Sequence, residues 1–170
     1  RERMLLHDIR ERATLVIDTT DLTTKDLRSR LRNAFTQLSD QQLMEVHVFS
    51  FGFKYGMPEE ADLIIDVRFL PNPYWNPEMR PLTGRDALVR DFVIDHPQTQ
   101  AFLERWYALL DTVLPGYVGE GKSRLSVGIG CSGGQHRSVA IADQTALHLT
   151  KAGYHVLSSH RDLARAERRA

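Results

Sequence analysis

Disulfides, a surplus of either charge and a long apolar run are all missing from this chain. A lone cysteine, Cys131, cannot form an intramolecular disulfide and suits a reducing compartment, so a cytoplasmic location is expected. Twenty-two basic residues face twenty-two acidic ones. That balance gives no support to a broad electrostatic grip on nucleic acid. No segment reads as a membrane span or a secretory signal, so no membrane role is expected. Repeats and low-complexity tracts are missing too. The chain starts at Arg1, without an initiator methionine and mid-pattern, and is expected to be a piece of something longer. Its 170 residues, 42% hydrophobic, suffice for one good core and a small appendage.

What the sequence does have is concentrated between Ser123 and His155. An apolar strand, Leu125 to Ile129, runs into a loop containing Gly128, Gly130, Gly133 and Gly134. The loop carries Cys131, Ser132, Gln135, His136 and Arg137. Ser138 then opens a helix with an apolar stripe of Val139, Ile141, Ala142, Ala146 and Leu149. Strand, glycine turn and helix N-terminus in that order make an anion site. The free N–H groups of the first turn point at the ligand, and the helix dipole adds partial positive charge. His136 supplies a further donor, and Arg137 can grip a phosphate with two nitrogens. The expected ligand is a phosphate or a phosphorylated small molecule. No metal site is expected.

Three literal motifs fall in or beside this unit. Cys131, Arg137 and Ser138 satisfy C-x5-R-S, the pattern of cysteine-dependent phosphatases. That chemistry needs a thiolate nucleophile and a separate general acid for the leaving group. No such acid is assigned and no histidine closely precedes Cys131, so the favoured reading is a small buried residue packing beside a bound anion. Gly128-Ile-Gly-Cys-Ser-Gly133 matches the dinucleotide fingerprint, but the next strand, Tyr154 to Leu157, lacks the acid that a ribose requires. Gly116-Tyr-Val-Gly-Glu-Gly-Lys122-Ser123 matches the Walker A pattern, yet a helix precedes it and a strand follows. A phosphate-cradling loop has the reverse order, so this is read as a chance match. Lys122 and Ser123 are kept as residues able to face a ligand from the side.

The remaining pattern alternates strands and helices. Strands are expected at Ala13–Ile17, Met44–Phe51 and Ala61–Val67, the last of them buried. Helices are expected after a Thr23/Asp26 capping box, over Thr83–Ile94, over Gln98–Leu114, and from Arg161 to the end. Pro71 to Pro81, with four prolines beside Tyr74 and Trp75, reads as an ordered irregular loop. This order predicts a single three-layer α/β domain with a largely parallel sheet. Ligands of such sheets sit beyond the carboxyl ends of the strands. Here those ends are Phe51 to Lys54, Asp66 to Asn72, Gly130 to Arg137 and Ser158 to Arg161, and all four are polar. Lys54, His160 and Arg161 join Lys122 and Ser123 as possible ligand-edge residues.

The same strand ends carry a resemblance. Ser-Phe-Gly-Phe-Lys-Tyr-Gly at 50–56, Ala-Asp-Leu-Ile-Ile-Asp-Val-Arg-Phe-Leu-Pro-Asn-Pro at 61–73, Thr83-Gly84, Gly-Cys-Ser-Gly-Gly-Gln-His-Arg-Ser-Val at 130–139 and His160-Arg-Asp162 together resemble the RapZ/YvcJ family of bacterial nucleotide-binding proteins and RNase adapters. The likeness covers nearly the whole chain. It implies that residues 41–170 are the family's C-terminal domain, similar to a phosphofructokinase lobe and assembling as a homo-oligomer. Residues 1–40 would be the tail of the N-terminal kinase-like domain or a linker. The family's own ATP- or GTP-binding Walker A lies upstream, so no cofactor and no nucleotide hydrolysis are expected of this piece.

Carried over residue by residue, the resemblance places Asp66, Arg68, Asn72, Tyr74, Cys131, Ser132, Gly133, His136 and Arg137 in a pocket for glucosamine-6-phosphate or a sugar nucleotide such as UDP-GlcNAc. Tyr74 stands where the adapter branch has histidine and Ser132 where it has threonine, which leaves the identity of the sugar open. Gly134, Gln135 and Ser138 complete the same loop. The adapter branch ends in a dense basic tail that binds small RNA. Here that tail is Arg161, Arg165, Arg168 and Arg169, diluted by Asp162 and Glu167. Phosphate contacts scale with the number of neutralised charges, so RNA affinity is expected to be weak or lost. The leading expectation is a sensor domain without catalytic residues that binds a phosphorylated amino sugar and signals to a regulator protein controlling amino-sugar and cell-envelope precursors. The alternatives are a small-RNA-binding adapter and a Cys131-dependent phosphatase.

Overall fold

The computed structural model describes residues 13–35 and 44–167, and the chain divides into two compact units between Leu38 and Ser39. In the first, helix α1 spans Thr24–Phe35. Its start is the expected capping box: Asp26 N–H donates to Thr23 Oγ1 (3.2 Å) and Thr23 N–H to Asp26 Oδ2 (3.1 Å). The strand expected at 13–17 is not there. A strand needs a ladder partner for its backbone groups, and none is present here among the described residues of this unit. Leu15 and Val16 are exposed instead.

The second unit is an α/β domain. Its strands are β1 (Glu45–Gly52), β2 (Leu63–Asp66), β3 (Arg124–Cys131) and β4 (His155–His160). They form one sheet in the order β2-β3-β1-β4, and every pair is parallel. Parallel neighbours require crossovers. Helices α2 (Ala87–Ile94) and α3 (Pro97–Gly119) return the chain from β2 to β3, and α4 (Arg137–Lys151) returns it from β3 to β4. A short α5 (Leu163–Glu167) follows.

Alternation sorts the central strands into two faces. Val46 and Val48 of β1 and Leu125, Val127 and Ile129 of β3 are fully buried in the main core, with Leu110 and Leu114 of α3 and Ile141 and Leu149 of α4. Trp106 joins them, its Nε1–H donating to Thr145 Oγ1 (3.1 Å), which fastens α3 to α4. On the opposite face, Phe51 and Phe53 lie across Gly130. A Cβ there would stand 2.6 Å from Phe51 Cζ and 2.5 Å from Phe53 Cε2, so glycine is what lets the rings settle on the strand.

Several boundaries differ from the sequence expectation. β2 is four residues long, half-buried rather than buried, because it is an edge strand pairing only with β3. α2 starts at Ala87, not Thr83, since Thr83 N–H and Oγ1 both bond Asp86 Oδ2 (2.7 and 2.8 Å) in a turn that precedes the helix. α3 runs through Pro115 to Gly119. It closes there with Gly121 N–H to Val118 O (2.9 Å) and Lys122 N–H to Tyr117 O (3.0 Å), with Gly121 at φ +79°. That pair of bonds is a Schellman cap. The Walker-like octet is therefore a helix C-terminus, whose outward carbonyls repel an anion.

Candidate functional site

All four strands end at one edge, and β3 delivers Cys131 there before turning through Ser132, Gly133, Gly134 and Gln135 into α4. The turn sits directly on the end of β1. A Cβ at Gly134, where φ is +72°, would lie 2.8 Å from Gly52 N and 3.0 Å from Phe51 C. Gly52 presses back, its imagined Cβ 2.6 Å from Gly133 C. Two backbones meet without side chains between them, as a tight anion loop requires.

Helix α4 opens without a side-chain cap: His136 holds the N-cap position and makes no capping hydrogen bond. The N–H groups of its first turn are thus left for a ligand. The His136 ring turns aside, with Nε2 3.2 Å from Arg80 O. Gln135 Nε2 donates to Leu82 O (2.7 Å) and Gly84 N–H donates to Gln135 O (2.9 Å). Together these bonds lock residues 80–84 onto the loop.

His136 is 7% exposed, and burial holds its pKa below the ordinary 6.5 despite the opposing carbonyls of Arg80, Leu82 and Met79. Below pH 6.5 the unfolded chain binds a proton that the folded one refuses. Stability is therefore expected to fall as pH drops from 6.5 toward the folded value. Thermal melts in His136→Gln should lose part of this acid limb. His47, shifted the same way by burial, keeps its own share.

Arg137 is the chemical centre of the cleft. The residue is only 6% exposed. Nη1 donates to Arg68 O (2.6 Å) and Leu70 O (3.2 Å), while Nη2 lies 3.5 Å from Ser132 Oγ. Among the described residues no carboxylate forms an ion pair with it or with Lys54. Burial lowers the pKa of Arg137, with Asp66 opposing and Arg68 reinforcing. Arginine stays protonated in proteins, so a charge stays buried with little to balance it. An anion in the cleft would balance it.

Lys54 faces the loop from the turn after β1, its N–H donating to Ser132 O (3.2 Å) and its Nζ 4.7 Å from the centre of the Tyr55 ring. With Gly133 and Gln135, these groups line a cleft of about 370 Å³ whose wall is Asn72, Tyr74 and Trp75. Asn72 Oδ1 accepts Tyr74 N–H (3.3 Å) and so starts the single helical turn that carries both rings. Arg80 stacks on Tyr74, 4.8 Å from the ring centre. Tyr74 is 48% exposed and Trp75 76%, so apolar ring surface stands open beside a cationic floor.

Cys131 also lines the cleft, at 3% exposure. Its Sγ takes the Gly134 N–H (3.3 Å) and lies 3.1 Å from Ser138 Oγ, which is fully buried. Gly134 and Ser138 support the loop and do not face the cleft. Among the described residues no carboxylic acid lines it either. Asp66 and Arg68 pair with each other, Arg68 reaching both carboxylate oxygens (2.7 to 3.0 Å) and holding the Asp66 pKa below its ordinary value. They contribute through the Arg68 carbonyl that orients Arg137.

Other sequence candidates lie elsewhere. Lys122 and Ser123 are at the opposite end of the sheet: Lys122 pairs with Asp62 and Ser123 O accepts Glu45 N–H (3.0 Å). Lys122→Ala should leave phosphate affinity within about twofold and cost at most about 1 kcal/mol of stability. Calorimetry and a thermal melt check both. His160 is behind the loop, its side chain 3% exposed, with Nδ1 2.8 Å from Ser50 Oγ and Nε2 3.3 Å from Asp143 Oδ1. Arg161 Nη2 bonds Gly56 O (2.8 Å) and Asp162. Arg165 lies over the Tyr55 ring and beside Asp162 (3.5 Å), so it is packed onto the domain rather than part of a loose basic tail. Arg168 and Arg169 lie outside the described residues. Sequence reasoning missed Trp75 as a site residue, although two adjacent aromatics in a proline-rich loop were the available signal.

A family model described as the RapZ C-terminal domain matches residues 44–164. Among curated relatives, a nucleotide-binding protein of Limosilactobacillus fermentum is 49% identical over 166 residues, covering 98% of this chain and 57% of the relative. One from Corynebacterium jeikeium is 51% identical over 165 residues, covering 97% and 56%. Another, from Frankia casuarinae, is 51% identical over 165 residues, covering 97% and 57%. The chain thus spans little more than half the length of the curated relatives it matches.

Proposed function

The chain belongs to the RapZ C-terminal domain family, and from that membership and the cleft's chemistry we propose that residues 41–170 form a sensor domain for a phosphorylated amino sugar, glucosamine-6-phosphate or UDP-GlcNAc. The observation that carries this reading is the buried Arg137, in no ion pair among the described residues, beside the uncapped start of α4. A phosphate at that point accepts from the first-turn N–H groups, from Arg137 Nη2 and from Lys54 Nζ. The sugar then lies against Tyr74 and Trp75, whose faces take apolar ring surface or a nearby ammonium.

The domain acts by binding. Phosphoester cleavage needs an acid for the leaving group. Arg68 holds the pKa of Asp66 below its ordinary value, and burial lowers that of His136, whose ring lies on Arg80 O, so both shifts oppose the protonated form that an acid at neutral pH needs. Residues 1–40 are read as the tail of the preceding kinase-like domain, and ATP or GTP as a ligand of the part of the relatives that this chain does not match. Signalling runs to a regulator protein in amino-sugar and envelope-precursor control, through a homo-oligomer in the cytoplasm. The alternative, small-RNA binding, has less support, because Arg165 is engaged by Asp162 and Tyr55.

A thermal-shift panel tests the reading. Glucosamine-6-phosphate or UDP-GlcNAc at a hundred times its dissociation constant should stabilise the chain by about 2.7 kcal/mol. Unphosphorylated glucosamine should do nothing. Equal shifts with and without the phosphate would remove the anion from the account. Release of inorganic phosphate that disappears in Cys131→Ser would replace the sensor with a phosphatase.

A further inference from the structure

We propose that Asp162, which touches neither the cleft nor a ligand in it, is the positioning residue that sets the backbone of the anion loop, and that it acts through Gly52. The proposal rests on reading the Cys131–Ser138 loop as an anion site.

Asp162 follows β4 and is fully buried. Its Oδ2 accepts the Gly52 N–H (2.9 Å) as well as Arg161 Nε (3.0 Å) and Nη2 (2.8 Å). Its Oδ1 faces Arg165 Nη1 at 3.5 Å. A buried carboxylate is tolerated only when paired and hydrogen-bonded; here one backbone donor and the Arg161 guanidinium bond Oδ2, while Oδ1 has the Arg165 ion pair and no hydrogen bond. The backbone donor is the informative one. Gly52 is the last residue of β1, and its peptide is the surface on which the Gly133–Gly134 peptide rests, too close for a Cβ on either side. A Cβ on Gly134 would also stand 3.1 Å from Asp162 Cβ. The carboxylate therefore fixes the Gly52 N–H, and Gly52 fixes the left-handed turn at Gly134. Gly134 N–H in turn bonds Cys131 Sγ and closes the loop (3.3 Å). Arg161, oriented by the same carboxylate, bonds Gly52 O (3.4 Å) and Gly56 O (2.8 Å), on either side of Lys54. One acid thus aligns both halves of the anion grip. It also ends at α5, joining the grip to the C-terminal helix: Arg165 N–H donates to Asp162 O (3.2 Å).

The test compares wild type, Asp162→Asn and Asp162→Ala in the 170-residue chain. Asparagine keeps an oxygen for Gly52 N–H; alanine does not. Titrating inorganic phosphate by calorimetry should show affinity within about threefold of wild type for asparagine and at least tenfold weaker for alanine. Amide hydrogen exchange without ligand is the second readout. In Asp162→Ala, exchange at Gly52 and Gly134 should rise well beyond any rise at Val48 in the core of β1. A uniform rise across all three amides means that Asp162 only stabilises the fold, and overturns the proposal. So do equal phosphate affinities in all three proteins. If wild type itself does not bind phosphate, the anion reading falls, and the exchange pattern still decides whether Asp162 positions the loop. Should Asp162→Ala fail to fold, Arg161→Ala, which frees the Lys54 turn from the same carboxylate, must weaken phosphate at least threefold, and no change there overturns the proposal.

Discussion

Replacing Arg137 by alanine is expected to weaken a sugar phosphate by about tenfold to a hundredfold. A hydrogen bond to a charged group contributes roughly 1.5 to 3 kcal/mol, and Arg137 is the most deeply buried cation at the cleft. The same change should lower stability, because Arg68 O and Leu70 O lose their donor. Leaving a buried acceptor unsatisfied costs roughly 1 to 3 kcal/mol. Arg137→Lys should recover only part of the affinity. Lysine keeps the charge but is a single point, and it cannot hold both carbonyls with one edge while turning the other toward the cleft. Calorimetry on the three proteins checks the order wild type, lysine, alanine. Equal affinities would move the anion away from α4, toward Arg80 and the aromatic wall.

The largest steric effect is expected at Gly84. A Cβ there would lie 2.2 Å from His136 O and 2.7 Å from Ala140 N, both backbone atoms of the first turn of α4. No side chain can rotate out of the way, so the turn and residues 80–84 must separate. The Gly84 N–H to Gln135 O bond goes with them. Overpacking of this kind costs roughly 1 to 3 kcal/mol, and more where backbone must move. In a chain of this size each kcal/mol lowers Tm by roughly 2–4 °C. Gly84→Ala should therefore melt several degrees lower and also lose phosphate, since the first turn of α4, whose free N–H groups are read as the anion's donors, shifts with these atoms. Gly116→Ala is the control. It sits within α3, nothing stands within 4 Å of its imagined Cβ, and the change should stabilise by about 0.4 to 1 kcal/mol. A true phosphate loop would not tolerate alanine at its first glycine.

The strand–turn–helix unit around Cys131 was legible in the sequence because its signal is local. A strand, a glycine turn and an apolar-striped helix lie within thirty residues, and the structure joins them in that order, with Gly133 and Gly134 in the turn and Gly128 and Gly130 inside β3 rather than in the loop. The parallel sheet was legible for the same reason, from the alternation of strand and helix patterns. Long-range choices were not. Nothing near Arg137 in sequence says that Arg68 O and Leu70 O, nearly seventy residues away, claim one edge of its guanidinium. Asp66 and Arg68 stand two apart and bond each other, a local pairing that sequence spacing allows but does not announce. Pro115 reads as a helix end because proline lacks the N–H and crowds the carbonyl four residues back, yet α3 continues past it and the glycine that permits the actual cap comes six residues later. Lys122 illustrates the reverse error: a motif letter with the right neighbours in sequence, at the wrong end of the sheet.

The central claim is that a phosphorylated amino sugar binds with its phosphate at the start of α4. Titrating glucosamine-6-phosphate into the 15N-labelled chain, while following backbone amide shifts, tests it most directly. The account predicts saturable shifts at Ser132 to Ser138, with smaller ones at Lys54, Asn72, Tyr74 and the Trp75 indole, and none at Lys122 or Ser123. Shifts absent from the start of α4 at millimolar ligand, or gathered around Lys122, would contradict it.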